Sequence, residues 1–267
     1  MLLSKSIIKK EICVHLDFGK INKNTKVKDY QVVMAILYRL KTGYQWRQLP
    51  MKQFFRGKYN WQSVYYHFQK WSKAGSWEKV WDNVLKKYKH QLDMSSIQLD
   101  GTHTPAKRGG ESVAYQGRKK SKTTNTLIIT DSQGIPLACS DSMAGNHNDA
   151  YELVETFSKM VHSLQLSDIP VNGLFLKADA GFDVSEFRSY CYKNEIFDNI
   201  DQNKRNGSSY ESHTIFDELL YKVRFIIERT NAWLDAFKAI LVRFETNDLH
   251  WKGLILLAFS VIFLRKL

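Results

Sequence analysis

Apolar residues recur at helical spacing in DYQVVMAILYRLKTG, Asp29 to Gly43, which predicts a helix capped by Asp29 at its start and closed by Gly43. After a loop marked by Pro50 and Gly57, the same period returns in WQSVYYHFQKWSKAG, Trp61 to Gly75, and in SWEKVWDNVLKKYKHQL, Ser76 to Leu92. The first third therefore reads as short helices joined by tight turns, compatible with a helix-turn-helix. Trp46, Trp61, Trp71, Trp77 and Trp81 read mostly as the core of those helices, and the Lys and Arg residues between them are the candidates for phosphate contact.

From Ser95 the pattern changes. SIQLDGT has the texture of a strand ending in an acid and a glycine, and TLIIT and IPLACSDS are two more, split by the hairpin signal DSQG. DAYELVETFSKMVHSL reads as a helix, VNGLFLKADAGFD as another strand ending in an acid and a glycine, SEFRSYCYKNE as a helix and IFDNIDQN as a short strand. LLYKVRFIIERTNAWLDAFKAIL and HWKGLILLAFSVIFLRKL read as two long helices. The order strand, hairpin, helix, strand, helix, strand, helix is that of an α/β ribonuclease H-like fold. It predicts a mixed five-stranded sheet with flanking helices, three strands antiparallel at one side and the rest brought in parallel by crossovers. The expected division is a small all-helical domain over residues 1–92 and an α/β domain over residues 93–267.

Charge sharpens that division. The net charge of +12 is uneven: residues 1–92 hold 19 Lys+Arg against 5 Asp+Glu, net +14, and residues 93–267 hold 20 against 22, net −2. A basic domain beside a carboxylate-rich one points to a polyanion held by the first and chemistry that needs carboxylates in the second, with nucleic acid the leading candidate. The longest apolar run, Leu254 to Leu264, is about half of the ~20 residues a membrane helix needs, so it reads as core and no membrane partner is expected. The opening residues mix Lys and Glu among apolar positions and read as part of the fold. Cys13, Cys139 and Cys191 lie far apart, without a disulfide framework or zinc spacing, which fits a reducing cytoplasm.

Three acids stand out by position. Asp100 and Asp179 each end a strand with a glycine within two residues, and Glu228 lies on the helix after the last strand, 79 and 49 residues apart in turn. Crowded carboxylates repel unless cations neutralise them, and hard oxygen ligands favour Mg²⁺ or Mn²⁺. Two such ions about 4 Å apart support in-line phosphoryl displacement. Three acids among 27 carry little by themselves; the segment around Glu228 carries more.

YKVRFIIERTNAWLD resembles the YxxRxxxE signature of DDE insertion-sequence transposases, here Tyr221, Arg224 and Glu228, and ERTNAWLDAFK is similar to the insertion sequence five group. LDGTHTPAKRGG, AYQGRKKSKTTNTLIITD, AGNHNDA and LKADAGFD follow in the family's order, and YRLKTGYQWRQLP with WQSVYYHFQKWSKAGSWEKVW resembles its helical DNA-binding region. The resemblance runs from about Asp29 to the C-terminus. It implies a ribonuclease H-like catalytic domain in which Asp100, Asp179 and Glu228 bind two Mg²⁺ ions, with Mn²⁺ as a substitute. It further implies cleavage and transfer of double-stranded DNA at terminal inverted repeats, and a homodimer on DNA in a bacterial-type cytoplasm, at the nucleoid. Tyr221 and Arg224 would then meet the DNA backbone. The family carries a base seven residues after its glutamate where Asp235 stands here, and Lys238, one helical turn on, is the expected replacement.

Other positions stay open. Arg118, Lys119, Lys120 and Lys122 are either a solvated loop or a nucleic-acid contact before the hairpin. Asn148 or Asp149 reads as a helix cap, and the competing reading, which the resemblance implies, makes His147 a neighbour of the active site; His103 has the same ambiguity, and Asp183 reads as a cap. Two alternatives remain: an inactive or domesticated DNA-binding protein, and a structure-specific nuclease of the same fold.

Overall fold

The computed structural model describes residues 2–18, 27–203 and 216–267. In chain order its main elements are helices α1 (Asp29–Thr42), α2 (Trp61–Lys73) and α3 (Ser76–Tyr88), then strands β1 (Ser96–Pro105), β2 (Ala114–Gln116), β3 (Ser121–Thr130), β4 (Pro136–Cys139) and β5 (Met143–Ala144). Next come α4 (Leu153–Leu166), β6 (Phe175–Ala178), α5 (Ser185–Lys193) and β7 (Phe197–Ile200). The chain ends in α6 (Glu218–Lys222), α7 (Ile226–Asp235), α8 (Lys238–Leu241) and α9 (Asp248–Leu264). These elements form two units: Met1–Lys87 with Thr104–Glu111 and Trp233–Leu267, and Tyr88–His103 with Ser112–Ala232.

The first unit is helical. One face of α1 buries Val32, Val33, Ile36, Leu37 and Leu40, and the chain leaves the helix through Gly43 at φ +71°. A Cβ at Gly43 would lie 3.1 Å from the carbonyl oxygen of Lys238, so the glycine serves both the left-handed turn and the close approach of α8. Asp29 is the first helical residue and not the cap; the Lys28 N–H is instead taken by Gln31 Oε1 at 2.8 Å. Trp71, Trp77 and Trp81 are core, as expected, whereas Trp46 and Trp61 are half-buried. The apolar α9 packs against α1 and α2 and is buried on almost every side, with Gly253 making room for the Trp77 ring. Among the described residues no helix is long and apolar enough to cross a membrane.

A single boundary after residue 92 does not reproduce this grouping. Residues 104–111 bond to the segment before α9, through Arg243 N–H to Pro105 O at 2.8 Å and Glu111 N–H to Thr246 O at 2.9 Å. The C-terminal helix, in turn, supplies the apolar surface that the basic helices bury, each large side chain contributing about 1.5–3 kcal/mol.

The second unit is built on one mixed sheet in the order β2-β3-β1-β6-β7, with β4 and β5 also paired to β3. The hairpin strands β3 and β4 are antiparallel, and β1, β6 and β7 run parallel, as a ribonuclease H-like fold requires. Among the described residues seven strands stand where five were expected, because β2 is an added short partner of β3 and the third main strand is split into β4 and β5. DSQG makes the turn: Asp131 Oδ1 accepts the N–H groups of Gln133 and Ile135 at 2.9 and 2.7 Å, and Gly134 takes φ +81°. Helices α4 and α5 pack together through Phe157 and Phe187, ring centroids 5.1 Å apart.

Candidate active site

Parallel pairing brings two acids to one end of the sheet. Gln98 of β1 pairs with Lys177 of β6, and two residues further along each strand stand Asp100 and Asp179. Asp179 caps a short 3-10 turn, its Oδ1 accepting the Gly181 N–H at 2.8 Å. Asp100 accepts from its neighbour Gly101 N–H at 2.9 Å and from Asn231 Nδ2 at 3.2 Å. Burial first, and then the charges of Asp149 and Asp179, push the Asp100 carboxyl up to about 6, while the bonds from Gly101 and Asn231 pull the other way.

Asp149 is therefore part of this site. It does not cap α4, which starts at Leu153 after Glu152 in a left-handed conformation. Asn125 Nδ2 donates to Asp149 Oδ1 at 2.7 Å, and His103 Nε2 lies 3.5 Å from the same oxygen. Burial opposes ionisation of Asp149, but His103, Asn125 and the charge of Arg118 outweigh it and hold the carboxyl below its ordinary range. A Cβ on Gly101 would fall 2.1 Å from Asp149 Oδ1, so that glycine is required by the approach of the carboxylate. Its place directly after Asp100 was the available sequence signal. His103 is buried and within 3.0 Å of Gln116 Nε2, whereas His147 stacks on Tyr151 at 3.7 Å between centroids.

The helix expected over 219–241 is broken into pieces. Tyr221 lies in α6, Arg224 in a single 3-10 turn, Val223–Phe225, and Glu228 in α7. The Arg224 guanidinium lies 5.1 Å from the Tyr221 ring centroid, and among the described residues no ion pair joins Arg224 to Glu228. Glu228 is exposed, and Asn231 on the next turn both donates to Asp100 and accepts from Thr102 Oγ1 at 3.2 Å. Thr230 and Arg229 donate to the carbonyls of Gly134 and Gln133, fixing α7 on the β3–β4 turn. Sequence reasoning passed over Asn231, although it lies three residues beyond Glu228 on the same helical face.

Lys238 does not continue that helix. α7 ends at Asp235, and Lys238 opens α8 within the first unit. Arg118, Lys119 and Lys120 occupy the turn of the β2–β3 hairpin, with Lys120 at φ +46°, and Lys122 faces outward on β3 opposite Tyr115. All four are exposed, and Lys119 Nζ also donates to His103 O at 2.7 Å. Asp183 holds Arg188 and the Asn203 N–H, both at 2.7 Å, and does not cap α5.

Among the described residues no group of three or more His, Cys, Asp or Glu side chains is gathered closely enough to hold a metal ion. Asp100 and Asp179 nevertheless supply hard oxygen donors, and a cation beside Asp100 would offset the repulsion that raises its carboxyl, so the donor set suits a divalent ion.

Residues 99–260 match the family described as "DDE superfamily endonuclease". The chain belongs to that family. Residues 13–81 match a second model, "Putative transposase of IS4/5 family", and the two together make the protein a DNA transposase of the IS4/5 type. As a DDE endonuclease this transposase depends on a divalent metal ion. No curated protein matches it. Among solved structures it is similar to "Mos1 transposase paired-end complex with left transposon end", at 12% identity, covering 92% of this chain and 81% of that chain with a TM-score of 0.31. It is also similar to "Crystal structure of the Mos1 mariner paired end complex with Mn", at 12% identity, 92% and 80% coverage and a TM-score of 0.29.

Proposed function

We propose that the transposase binds the terminal inverted repeats of an insertion sequence through the basic helices of residues 1–92 and cuts them with Asp100, Asp179 and Glu228 of residues 93–267. A phosphodiester is hydrolysed, and the freed 3′-hydroxyl attacks target DNA, with a homodimer on DNA handling two ends together at the nucleoid. The observation that carries this reading is the Asn231–Asp100 bond, which docks the helix bearing Glu228 on the strand end where the charge of Asp179 is also felt.

Asp100, Asp179 and Glu228 would hold two Mg²⁺ ions, or Mn²⁺ in their place. Such ions, when bound, activate the attacking oxygen and stabilise the leaving one. The chain's own part is positioning. Asn231 orients the Asp100 carboxylate, and Asn125 and His103 fix Asp149 beside it. Tyr221 and Arg224, the hairpin-turn residues Arg118, Lys119 and Lys120, and Lys122 on β3 offer donors and charge to the DNA backbone, as does Lys238 from the first unit.

A labelled fragment carrying the element's ends, incubated with Mg²⁺, tests the proposal. Nicks and joined strands are expected, reduced at least ~100-fold in Glu228→Gln with DNA binding intact. Equal activity of the two proteins sinks the role of Glu228, and nicks that are never joined to new DNA favour a nuclease.

A further inference from the structure

The first unit contains a cavity of about 730 Å³ that the chemistry above does not use. Tyr44, Trp46, Tyr65 and Phe244 form its aromatic walls, and Arg39, Arg47 and Arg108 line it as well. Most of these come from one run, YRLKTGYQWRQLP, in which Tyr44, Trp46 and Arg47 follow α1 closely.

Arg39 is the unusual member. It is only 4% exposed, and its Nη2 donates to Glu245 Oε1 at 2.8 Å, an oxygen shared with Trp46 Nε1 at 3.2 Å. Its Nε and Nη1 are buried with no hydrogen-bond partner among the described residues. A guanidinium with unmet buried donors is costly unless an acceptor arrives. Glu245 balances one of the three arginines, which leaves the cavity positive. At its mouth Tyr44 and Phe244 remain 46% and 47% exposed, beside the exposed Arg47 and Arg108.

Ring faces and guanidinium groups in one cavity fit a ligand that is planar and anionic together. The volume falls within the roughly 300–1,000 Å³ of small-ligand pockets. A nucleotide has this chemistry, but a base paired and stacked within a duplex cannot offer its face to the rings. We propose that this cavity captures one unpaired nucleotide of the DNA substrate, with the base against Tyr44, Trp46 and Phe244 and the phosphate on Arg39, Arg47 and Arg108. The proposal rests on the reading that the enzyme acts on DNA ends.

The test uses the full chain in EDTA, so that no strand is cut, and two end-bearing duplexes of equal length, one fully paired and one carrying a single bulged 2-aminopurine. Binding to the bulged duplex is expected to be about tenfold tighter, with quenching of the 2-aminopurine as it stacks. In the double variant Tyr44→Ser, Phe244→Ser, at exposed positions and with folding checked by circular dichroism, the ratio should fall to about one. Equal binding of both duplexes by the wild type overturns the inference and leaves DNA binding standing, as does a preference that survives in the double variant. Protection of Trp46 and of Trp61, which also lines the cavity, by free dAMP without any preference for the bulge assigns the cavity to a free nucleotide and overturns the DNA form. Binding of neither duplex overturns the inference together with the reading it rests on.

Discussion

Two charge clusters, one in each unit, half-buried in the second and buried in the first, are built on opposite plans. In the second unit Asp100 is set near Asp149 and Asp179, all of one sign, and its carboxyl is pushed up to about 6. In the first unit Arg39 is set against Glu245, and burial pulls the guanidinium below its ordinary range while the carboxylate supports it. An opposite-sign pair satisfies itself in part and holds its neighbourhood together. A like-sign group is a source of strain in the isolated protein, which a cation bound beside it would relieve. The contrast teaches that neutralising one charge should change stability in opposite directions in the two units.

The largest effect is expected from Asp100→Asn. End cleavage should fall at least ~100-fold. The carboxyl is raised from 3.8 to about 6 by folding, so its protonated form is favoured in the native state. The stability this confers is complete below pH ~4 and lost as pH rises through ~6, leaving the ionised group destabilising at neutral pH. Asn removes that penalty. The metal-free variant should gain roughly 1–3 kcal/mol at pH 7 by urea titration and nothing near pH 4, and Mg²⁺ should raise Tm only in the wild type. A loss of stability at pH 7 would break the comparison.

Glu245→Ala should act in the other direction, because it strands the Arg39 guanidinium. The expected cost is about 3–5 kcal/mol, read in the same titration. If the variant is as stable as wild type, the pair is not the fixture that its geometry describes.

How far these clusters were legible in the sequence differs for a physical reason. Asp100 and Asp179 could be singled out because a strand ending in an acid and a glycine is a local pattern, and the parallel register that joins their strands follows from the element order. Asp149 could not, since its place depends on Asn125 and His103, distant in the chain, and on the absence of a side chain at Gly101. The breaks at Val223–Phe225 and after Asp235 were hidden because apolar residues keep helical spacing across them, and so Lys238 seemed to continue a helix that had ended. The apolar run of α9 announced a core helix, but nothing in its own residues said that it would complete the N-terminal unit. Arg39 gave no sign of burial, for an arginine late in a helix is ordinarily a solvated residue favouring the C-terminal end of the dipole.

The finest test of the like-sign cluster is Asn231→Ala. Asn231 carries no charge, so the variant leaves the repulsion among the three carboxylates in place and removes only the bond that orients Asp100 and the acceptor for Thr102. If the cluster works by charge alone, cleavage should be nearly unchanged. If, on the proposed reading of Asp100 as a metal ligand, the carboxylate must also be held at a fixed angle beside α7, cleavage should fall roughly 10–100-fold. Asn231→Asp separates the two terms further, since it keeps an acceptor for Thr102 but adds a fourth like charge and takes away the donor. Its cleavage at saturating Mg²⁺ should stay below that of the wild type, and its metal-free Tm should drop below that of Asn231→Ala.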